Sequence, residues 1–265
     1  KEILKKFGLP TSAKFVCLAV RDKAYANKCR PKREPGFWDY NNFRDGDIKD
    51  YILTAEEVAK RGYWVFRIGK YVEKKLETTN SKIIDYANSN LKSDFMDVYL
   101  QAKCSFSISS GSGMDQITYI FRKPIAHIQS HQYVFFSFCP RIITLFRHYF
   151  LKREDRNLSL SEIFSHNLAF VQNGKEFENK GVELKHNSPE ENRDLAIEVL
   201  ERFEGKWIDK PGDKELQKKF WSIFSENFSK YLPNYLRAWA WRLHGDSLKG
   251  YISTKFLREN KDWLK

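Results

Sequence analysis

Short apolar runs alternate with segments of helical periodicity through the first two thirds of the chain. Runs rich in β-branched and aromatic residues predict strands, whereas apolar residues that recur every three or four positions predict helices. Strands are predicted at residues 14–20, 63–68, 82–85, 105–109 and 124–128, and helices at residues 48–61, 93–102 and 112–121. This alternation is typical of a mainly parallel sheet with helices on both faces.

The pattern becomes mainly helical after Arg153. Helices are predicted at residues 160–164, at residues 189–203 and from Lys214 onward, with one further strand at residues 182–186. The helix at residues 189–203 has a strong start signal, because a serine hydroxyl precedes a proline and two glutamates fill the first turn. The whole pattern predicts an α/β fold that ends in a helical C-terminal extension.

Aromatic and basic residues are interleaved in the last helical region, residues 216–243. The aromatic ones are Phe220, Trp221, Phe224, Phe228, Tyr231, Trp239 and Trp241, and the basic ones are Lys218, Lys219, Lys230, Arg237 and Arg242. A helix of this composition can lie on a membrane surface. The alternative is that its aromatic residues pack on the sheet or on another domain. We favour packing, because so many exposed aromatic rings would reduce solubility.

Composition and charge narrow the class of protein. The chain has 265 residues, 42% of them hydrophobic, which is enough to bury a sizeable core. Its 46 Lys and Arg residues outnumber its 34 Asp and Glu residues and give a formal charge of +12. Such a field attracts polyanions, nucleotide diphosphates or an anionic membrane surface. No apolar run reaches the roughly 18 residues that a membrane-spanning helix needs.

The spacing of cysteine and histidine residues argues against a metal site. Four cysteines, at positions 17, 29, 104 and 139, form no Cys-x-x-Cys pair, which favours a reduced, cytosolic compartment. His127 and His131 are four residues apart, a spacing that brings two ligands together only on a helix. Because residues 124–128 predict a strand, no metal is expected.

A run of small hydroxyl and glycine residues follows the predicted strand at residues 105–109. It reads Ser109, Ser110, Gly111, Ser112 and Gly113, and helix-compatible sequence comes next. Free backbone N–H groups, hydroxyls and the positive end of a helix together can hold phosphate. Gly111 stands where a hydrolase nucleophile elbow has serine, and Gln116 stands where the dinucleotide fingerprint has glycine. The run predicts a phosphate site of non-standard type; the alternative is a serine-rich cap of an ordinary helix.

Polar side chains also follow two other predicted strands. Arg21 and Asp22 follow the first strand, and Arg67, Gly69 and Lys70 lie at the end of the second. Ligands of open parallel sheets bind beyond the carboxyl ends of the strands, so both positions are candidates. The connection from residue 21 to residue 47 is long and rich in Lys, Arg, Asn and Pro, which is typical of a functional lid or a disordered loop.

Several of these candidates have structural alternatives. Arg67 can pair with Asp85 or Asp94 at the edge of the sheet. Asp94 would also stabilise the start of a helix by its charge alone. Asp22 is either a proton acceptor, and so a weak catalytic candidate, or a group that orients an arginine.

Four segments of the chain resemble a family of bacterial glycosyltransferases of the cell-surface polysaccharide type. They are residues 15–25, 62–69, 93–100 and 109–113. Residues 186–191, 216–221 and 255–258 resemble the C-terminal region of the same family, so the likeness covers nearly the whole chain. More distantly, the arginine after the first strand and the Ser-Ser-Gly run are similar to fucosyltransferase-type enzymes. Those enzymes have the GT-B architecture, in which the C-terminal of two Rossmann-like domains holds most of the nucleotide sugar.

The resemblance implies a Rossmann-like, mainly parallel sheet that corresponds to the donor-binding half of a GT-B enzyme. Residues 1–153 would be the core with the phosphate-binding loop, and residues 154–265 the remainder of the same domain. The N-terminal acceptor domain is expected to be missing from this sequence, which starts at Lys1 rather than at methionine.

The resemblance also implies roles for particular residues. Arg21 matches the arginine that holds the donor diphosphate, a task for which a forked guanidinium is well suited. The serine-rich run at residues 109–112 matches the loop that receives the phosphates, and Asp94 is placed to bind ribose or base. At Ala19 the chain departs from the fucosyltransferase-type pattern, which commonly has histidine there.

A donor-binding half of this kind would transfer a sugar from a nucleotide sugar to a cell-surface glycan. Neither a metal nor a further cofactor is expected. The expected partners are the nucleotide sugar, a glycan acceptor and the N-terminal domain, in a cytoplasmic protein that can contact the inner face of the membrane. Nucleic acid is not expected. The alternative is a non-enzymatic basic module that binds nucleic acid or an anionic membrane surface.

Overall fold

The computed structural model describes residues 2–29, 34, 36–131, 133, 139–236 and 250–265. Seven strands form one parallel sheet: β1 (Phe15–Ala19), β2 (Trp64–Ile68), β3 (Ile83–Ile84), β4 (Ser107–Ser109), β5 (Ile125–Ser130), β6 (Ile142–Phe146) and β10 (Tyr251–Ile252). Three more strands, β7 (His148–Leu151), β8 (Arg156–Asn157) and β9 (Val182–Lys185), form a small antiparallel sheet.

The strand order of the large sheet is β3-β2-β1-β4-β5-β6-β10. Its first six strands have the order of the Rossmann fold, in which the chain runs outward in opposite directions from the central pair β1 and β4. The reversal leaves a crevice beyond the carboxyl ends of these two strands, where ligands of such sheets bind. The predicted α/β fold with a Rossmann-like parallel sheet is therefore confirmed.

Strand β1 is buried on both faces, as expected for a central strand of a parallel sheet. Because side chains alternate along a strand, Val16 and Leu18 enter the larger hydrophobic cluster, and Cys17 and Ala19 enter the smaller one on the opposite face. The larger cluster continues to Leu264, so residues before and after position 153 share one core.

Ten α-helices accompany the strands in the described parts of the chain. They are α1 (Glu2–Lys5), α2 (Ala24–Cys29), α3 (Ile52–Lys60), α4 (Asp94–Lys103), α5 (Asp115–Ile120), α6 (Leu160–Ser165), α7 (Gly174–Asn179), α8 (Pro189–Phe203), α9 (Asp213–Tyr231) and α10 (Thr254–Glu259). Helices α3 and α8 contribute to the larger cluster and α4 to the smaller one. Helix α8 starts with a capping box: Ser188 accepts the Glu191 N–H, and the Glu191 carboxylate accepts the Ser188 N–H.

The aromatic residues of α9 pack inside the protein. Phe220, Trp221, Phe224 and Phe228 are all buried in the larger cluster, so the packing alternative is confirmed for them. Four other members of the aromatic and basic region, Arg237, Trp239, Trp241 and Arg242, lie outside the described residues. Among the helices that are described, none combines the length and apolar composition needed to cross a bilayer.

Candidate functional site

The crevice between β1 and β4 brings together two of the predicted site segments. Arg21 follows β1 by two residues, and Ser110 directly follows β4. The Arg21 N–H donates to Ser110 Oγ at 2.8 Å, and the Ser110 N–H donates to the Ala19 carbonyl at 3.0 Å. The serine loop (residues 109–113) is therefore attached directly to the end of β1.

Hydrogen bonds within the serine loop converge on Asp115. Its carboxylate accepts the Ser109 hydroxyl and, at 3.1 Å, the Ser112 N–H. Ser109 Oγ also accepts the Gly111 N–H at 3.2 Å. Burial raises the pKa of Asp115 to about 6, against these hydrogen bonds. Asp115 thus accepts hydrogen bonds from two of the groups that the sequence assigned to phosphate.

The predicted helix at residues 112–121 is also shorter than expected, because α5 starts only at Asp115.

His127, on β5, lies against Gly111. A Cβ at Gly111 would come within 3.0 Å of His127 Nε2, and the φ angle of Gly111 is +81°, so this position favours glycine. Burial, aided by the positive charge of Arg44, lowers the pKa of His127 to about 4. The imidazole at this edge of the sheet is therefore neutral at pH 7. Gly113 is exposed, with open space beside it.

The guanidinium of Arg21 is held by the segment that covers the crevice. This covering segment (residues 36–47) contains the 3-10 helix Asp39–Arg44. Arg21 Nη1 pairs with the Asp45 carboxylate and donates to the Asn41 carbonyl at 3.4 Å. Burial raises the pKa of Asp45 to about 6 even though Arg21 opposes the shift. Arg21, which was predicted to hold the donor diphosphate, is thus paired with a carboxylate of the protein itself.

Two further arginines lie around Asp45, and neither was predicted from the sequence. Arg147 follows β6 and is 1% exposed; its Nη2 donates to the Asp45 carbonyl at 2.9 Å and its Nε to Gln129 Oε1 at 3.1 Å. These partners are uncharged, and burial lowers the pKa of Arg147 to about 10. Arg44 has a buried Nε without a partner among the described residues. Burial and then the charge of Arg21 lower the pKa of Arg44.

Arg21, Arg44 and Arg147 form an arginine cluster around Asp45. The charge of Arg21 lowers the pKa of both Arg44 and Arg147, so Arg21 lies within electrostatic range of each of them. A sequence signal existed for Arg147, because it follows the apolar run Ile142–Phe146 as Arg21 follows β1. Arg44 lies in the long connection and carried no such signal.

The candidates at the end of β2 pair with other groups. Arg67 is 1% exposed and pairs with Asp85 at 3.1 Å, which is one of the alternatives considered for it. Lys70 pairs with Asp94 at 2.6 Å, and both side chains are exposed. The hydrogen bond and charge of Asp94 raise the pKa of Lys70, and those of Lys70 lower the pKa of Asp94. A Cβ at Gly69 would lie 2.7 Å from a Val72 methyl carbon, so the turn after β2 has no room for a side chain.

The carboxylate of Asp22 accepts hydrogen bonds from two backbone N–H groups. Its Oδ1 accepts the Ala24 N–H at 2.9 Å, next to the start of α2, and its Oδ2 accepts the Glu73 N–H at 2.9 Å. Both carboxylate oxygens therefore have backbone donors, which joins the loop after β1 to the loop after β2.

Comparisons of the chain with models of known protein families, with curated proteins and with solved structures found no significant match. What the site can do is therefore argued from its own residues. The Rossmann-like order places the arginine cluster and the serine loop at the carboxyl edge of the sheet, where such folds bind ligands.

Proposed function

We propose that the chain binds the diphosphate of a nucleotide sugar beyond β1 and β4 and is the donor-binding half of a glycosyltransferase. The observation that carries this proposal is the arginine cluster, in which Arg21 interacts with both Arg44 and Arg147 and the Asp45 carboxylate acts on all three. A diphosphate diester has two negative charges, and guanidinium groups bind phosphate oxygens in a forked geometry. The resemblance of the sequence to glycosyltransferases selects the nucleotide sugar among diphosphates.

In the proposed reaction the chain holds the leaving group. The bond between the anomeric carbon and the diphosphate oxygen breaks, a new bond forms to an acceptor hydroxyl oxygen, and that hydroxyl loses its proton. Arg21 and Arg44 stabilise the charge that accumulates on the departing diphosphate. Ser110 orients Arg21 through its backbone. The acceptor is a cell-surface glycan, and the base and further acceptor contacts come from the N-terminal half of the GT-B enzyme.

The proposed location is the cytoplasm, with peripheral contact at the inner face of the membrane. Cys17 and Cys104 support it, since both are buried next to each other as free thiols. The +12 charge would attract the chain to anionic lipid.

Isothermal titration calorimetry tests the donor site. Uridine, guanosine and cytidine diphosphates and their nucleosides are titrated at 50 and 300 mM NaCl. We expect one diphosphate to bind at least tenfold more tightly than the others at both salt concentrations, and Arg44→Gln to weaken its binding. Arg153→Gln, at an exposed arginine that pairs with Glu154, is the control. Equal binding of all diphosphates that disappears at 300 mM NaCl would contradict the proposal and favour the basic binding module.

A further inference from the structure

A cleft of about 700 Å³ is lined in part by the covering segment, through residues other than the two, Asn41 and Asp45, that contact Arg21. Its walls are the 3-10 helix Asp39–Arg44 with the residues before it, helix α7 and strand β9, and Arg147 lines its end. Sites for small molecules have volumes of about 300–1,000 Å³. The cleft therefore has room for one or two sugar rings, and no sequence pattern indicated it.

The charges that line this side cleft balance one another. Three carboxylates (Asp39, Glu178 and Glu183) stand against three cations (Arg147, Lys152 and Lys175). The side cleft therefore has no formal net charge, unlike the arginine cluster and unlike the whole chain, whose formal charge is +12. Because these opposite charges cancel, the lining offers a polyphosphate no net attraction and favours a ligand without net charge.

Aromatic rings supply the apolar part of the side cleft. Phe43 and Phe177 pack against each other with ring centroids 5.4 Å apart, and Phe177 is buried. Phe37 and Tyr40 are 43% and 39% exposed, although both belong to the cleft wall. One face of a pyranose ring is made of C–H groups and stacks on such rings, whereas its hydroxyl groups require polar partners.

Both hydrogen-bond acceptors and hydrogen-bond donors are available in the side cleft for the hydroxyl groups of a sugar. The side chains of Glu178 and Lys175 on α7 and of Lys152 and Glu183 make no hydrogen bond or ion pair with any described residue. Carboxylates accept hydrogen bonds and ammonium groups donate them, and a sugar hydroxyl does both. Asn42 differs from these residues, because its amide already donates to Asp39 at 3.0 Å.

We propose that the side cleft binds an uncharged carbohydrate, stacked on Tyr40 and hydrogen-bonded to Glu178. Its use as the acceptor glycan rests on the proposed function; carbohydrate binding itself does not. The covering segment takes part in both sites, because its Asn41 and Asp45 contact Arg21. Arg147, which is bonded to the Phe43 and Asp45 carbonyls of the same segment, also lines the cleft. Part of the acceptor site would then lie on the donor-binding half.

Saturation-transfer NMR with lactose, N-acetylglucosamine and methyl galactoside tests this proposal. We expect saturation to reach the ring protons of at least one sugar. Tyr40→Ala and Glu178→Gln should each weaken that sugar's binding at least fivefold. The matched controls are Tyr119→Ala, an exposed tyrosine on α5, and Glu176→Gln, which is on α7 but does not line the cleft.

Absence of transfer to all three sugars would overturn the proposal, as would equal transfer to wild type and both cleft variants. The nucleotide titration separates the two hypotheses. Arg44→Gln should weaken diphosphate binding and leave the sugar signal unchanged, whereas Tyr40→Ala should do the opposite. Sugar binding without any diphosphate binding would refute the donor site alone.

Discussion

The backbone N–H of Arg21 donates to the hydroxyl oxygen of Ser110, 2.8 Å away, across the junction of β1 and β4. One serine therefore fixes the position of the arginine backbone relative to the serine loop. Since Ser110 is 4% exposed, water cannot easily replace this bond.

Ser110→Ala should destabilise the protein by about 1 kcal/mol, because the Arg21 N–H loses its acceptor. For a chain of this size we expect a fall in Tm of roughly 2–4 °C, measured by circular dichroism. Diphosphate affinity should fall as well. Ser161→Ala, whose exposed hydroxyl donates to the Lys265 carbonyl, is the control. An unchanged Tm would show that the bond contributes nothing to stability.

Gly111→Ala should cost about 1–2 kcal/mol of unfolding free energy. The φ angle of +81° is unfavourable for alanine, and its Cβ would press on His127 Nε2. Gly113→Ala is a close control, because Gly113 has open space beside it in the same loop. Urea denaturation of both variants measures the difference. Equal midpoints would contradict the assigned backbone conformation.

Arg21→Lys should weaken the binding of a nucleoside diphosphate about tenfold and leave nucleoside binding unchanged. Lysine keeps the positive charge but lacks the forked donors of the guanidinium. Calorimetric titration of both ligands checks this, with Arg153→Lys as the control for the substitution type. Equal losses for diphosphate and nucleoside would indicate contact with the base or misfolding instead.

Nucleotide-sugar affinity should rise severalfold as the pH falls from 8 to 6. With a pKa of about 6, Asp45 is protonated in about one molecule in a hundred at pH 8 and in about half at pH 6. Protonation ends its competition with phosphate for Arg21. The diphosphate diester itself does not titrate in this range. Asp45→Asn should bind more tightly at pH 8 and lose the pH dependence. An unchanged pH profile in this variant would refute the competition.

His127 should make the protein less stable in acid. Its pKa is about 4 in the folded state and about 6.5 when unfolded, so the unfolded chain binds more protons between these values. Stability is therefore lost as the pH falls from about 6.5 to 4, by at most roughly 3 kcal/mol. Asp45 and Asp115 have raised pKa values and act in the opposite direction. Urea denaturation of wild type and of His127→Gln from pH 7 to 4.5 gives the free energy of unfolding of each, and their difference is the contribution of the histidine. If this difference did not change with pH, it would contradict the burial of His127 in its neutral form.

The central strands and long helices were predictable because their signals are local. β1 is a continuous apolar run, and α8 has Ser188 and Pro189 at its start. β6 was missed, since a five-residue run with four apolar residues and no alternation does not distinguish a strand from a buried helix. β8 and β10 have two residues each and were not predicted, whereas β3, which is equally short, was predicted within residues 82–85.

The candidate site was predictable only where it follows a recognised strand. Arg21 and Ser110 were placed correctly at one edge by the rule for parallel sheets. Arg44 could not be found, because its position depends on how the covering segment folds back over the sheet. The same applies to Asp45, whose bond to Arg21 is a long-range contact that no spacing reveals.

The pairing of β10 with β6 has a consequence for synthesis of the chain. Tyr251 and Ile252 pair with Ile143 and Thr144, roughly a hundred residues earlier in the chain. The outer edge of β6 therefore stays unpaired until translation is almost finished. Until then β6 presents unpaired backbone groups, which other nascent chains can join. A chain that is cut or stalled before residue 251 should therefore be prone to aggregate in the cell, even though every residue of the crevice has already been made.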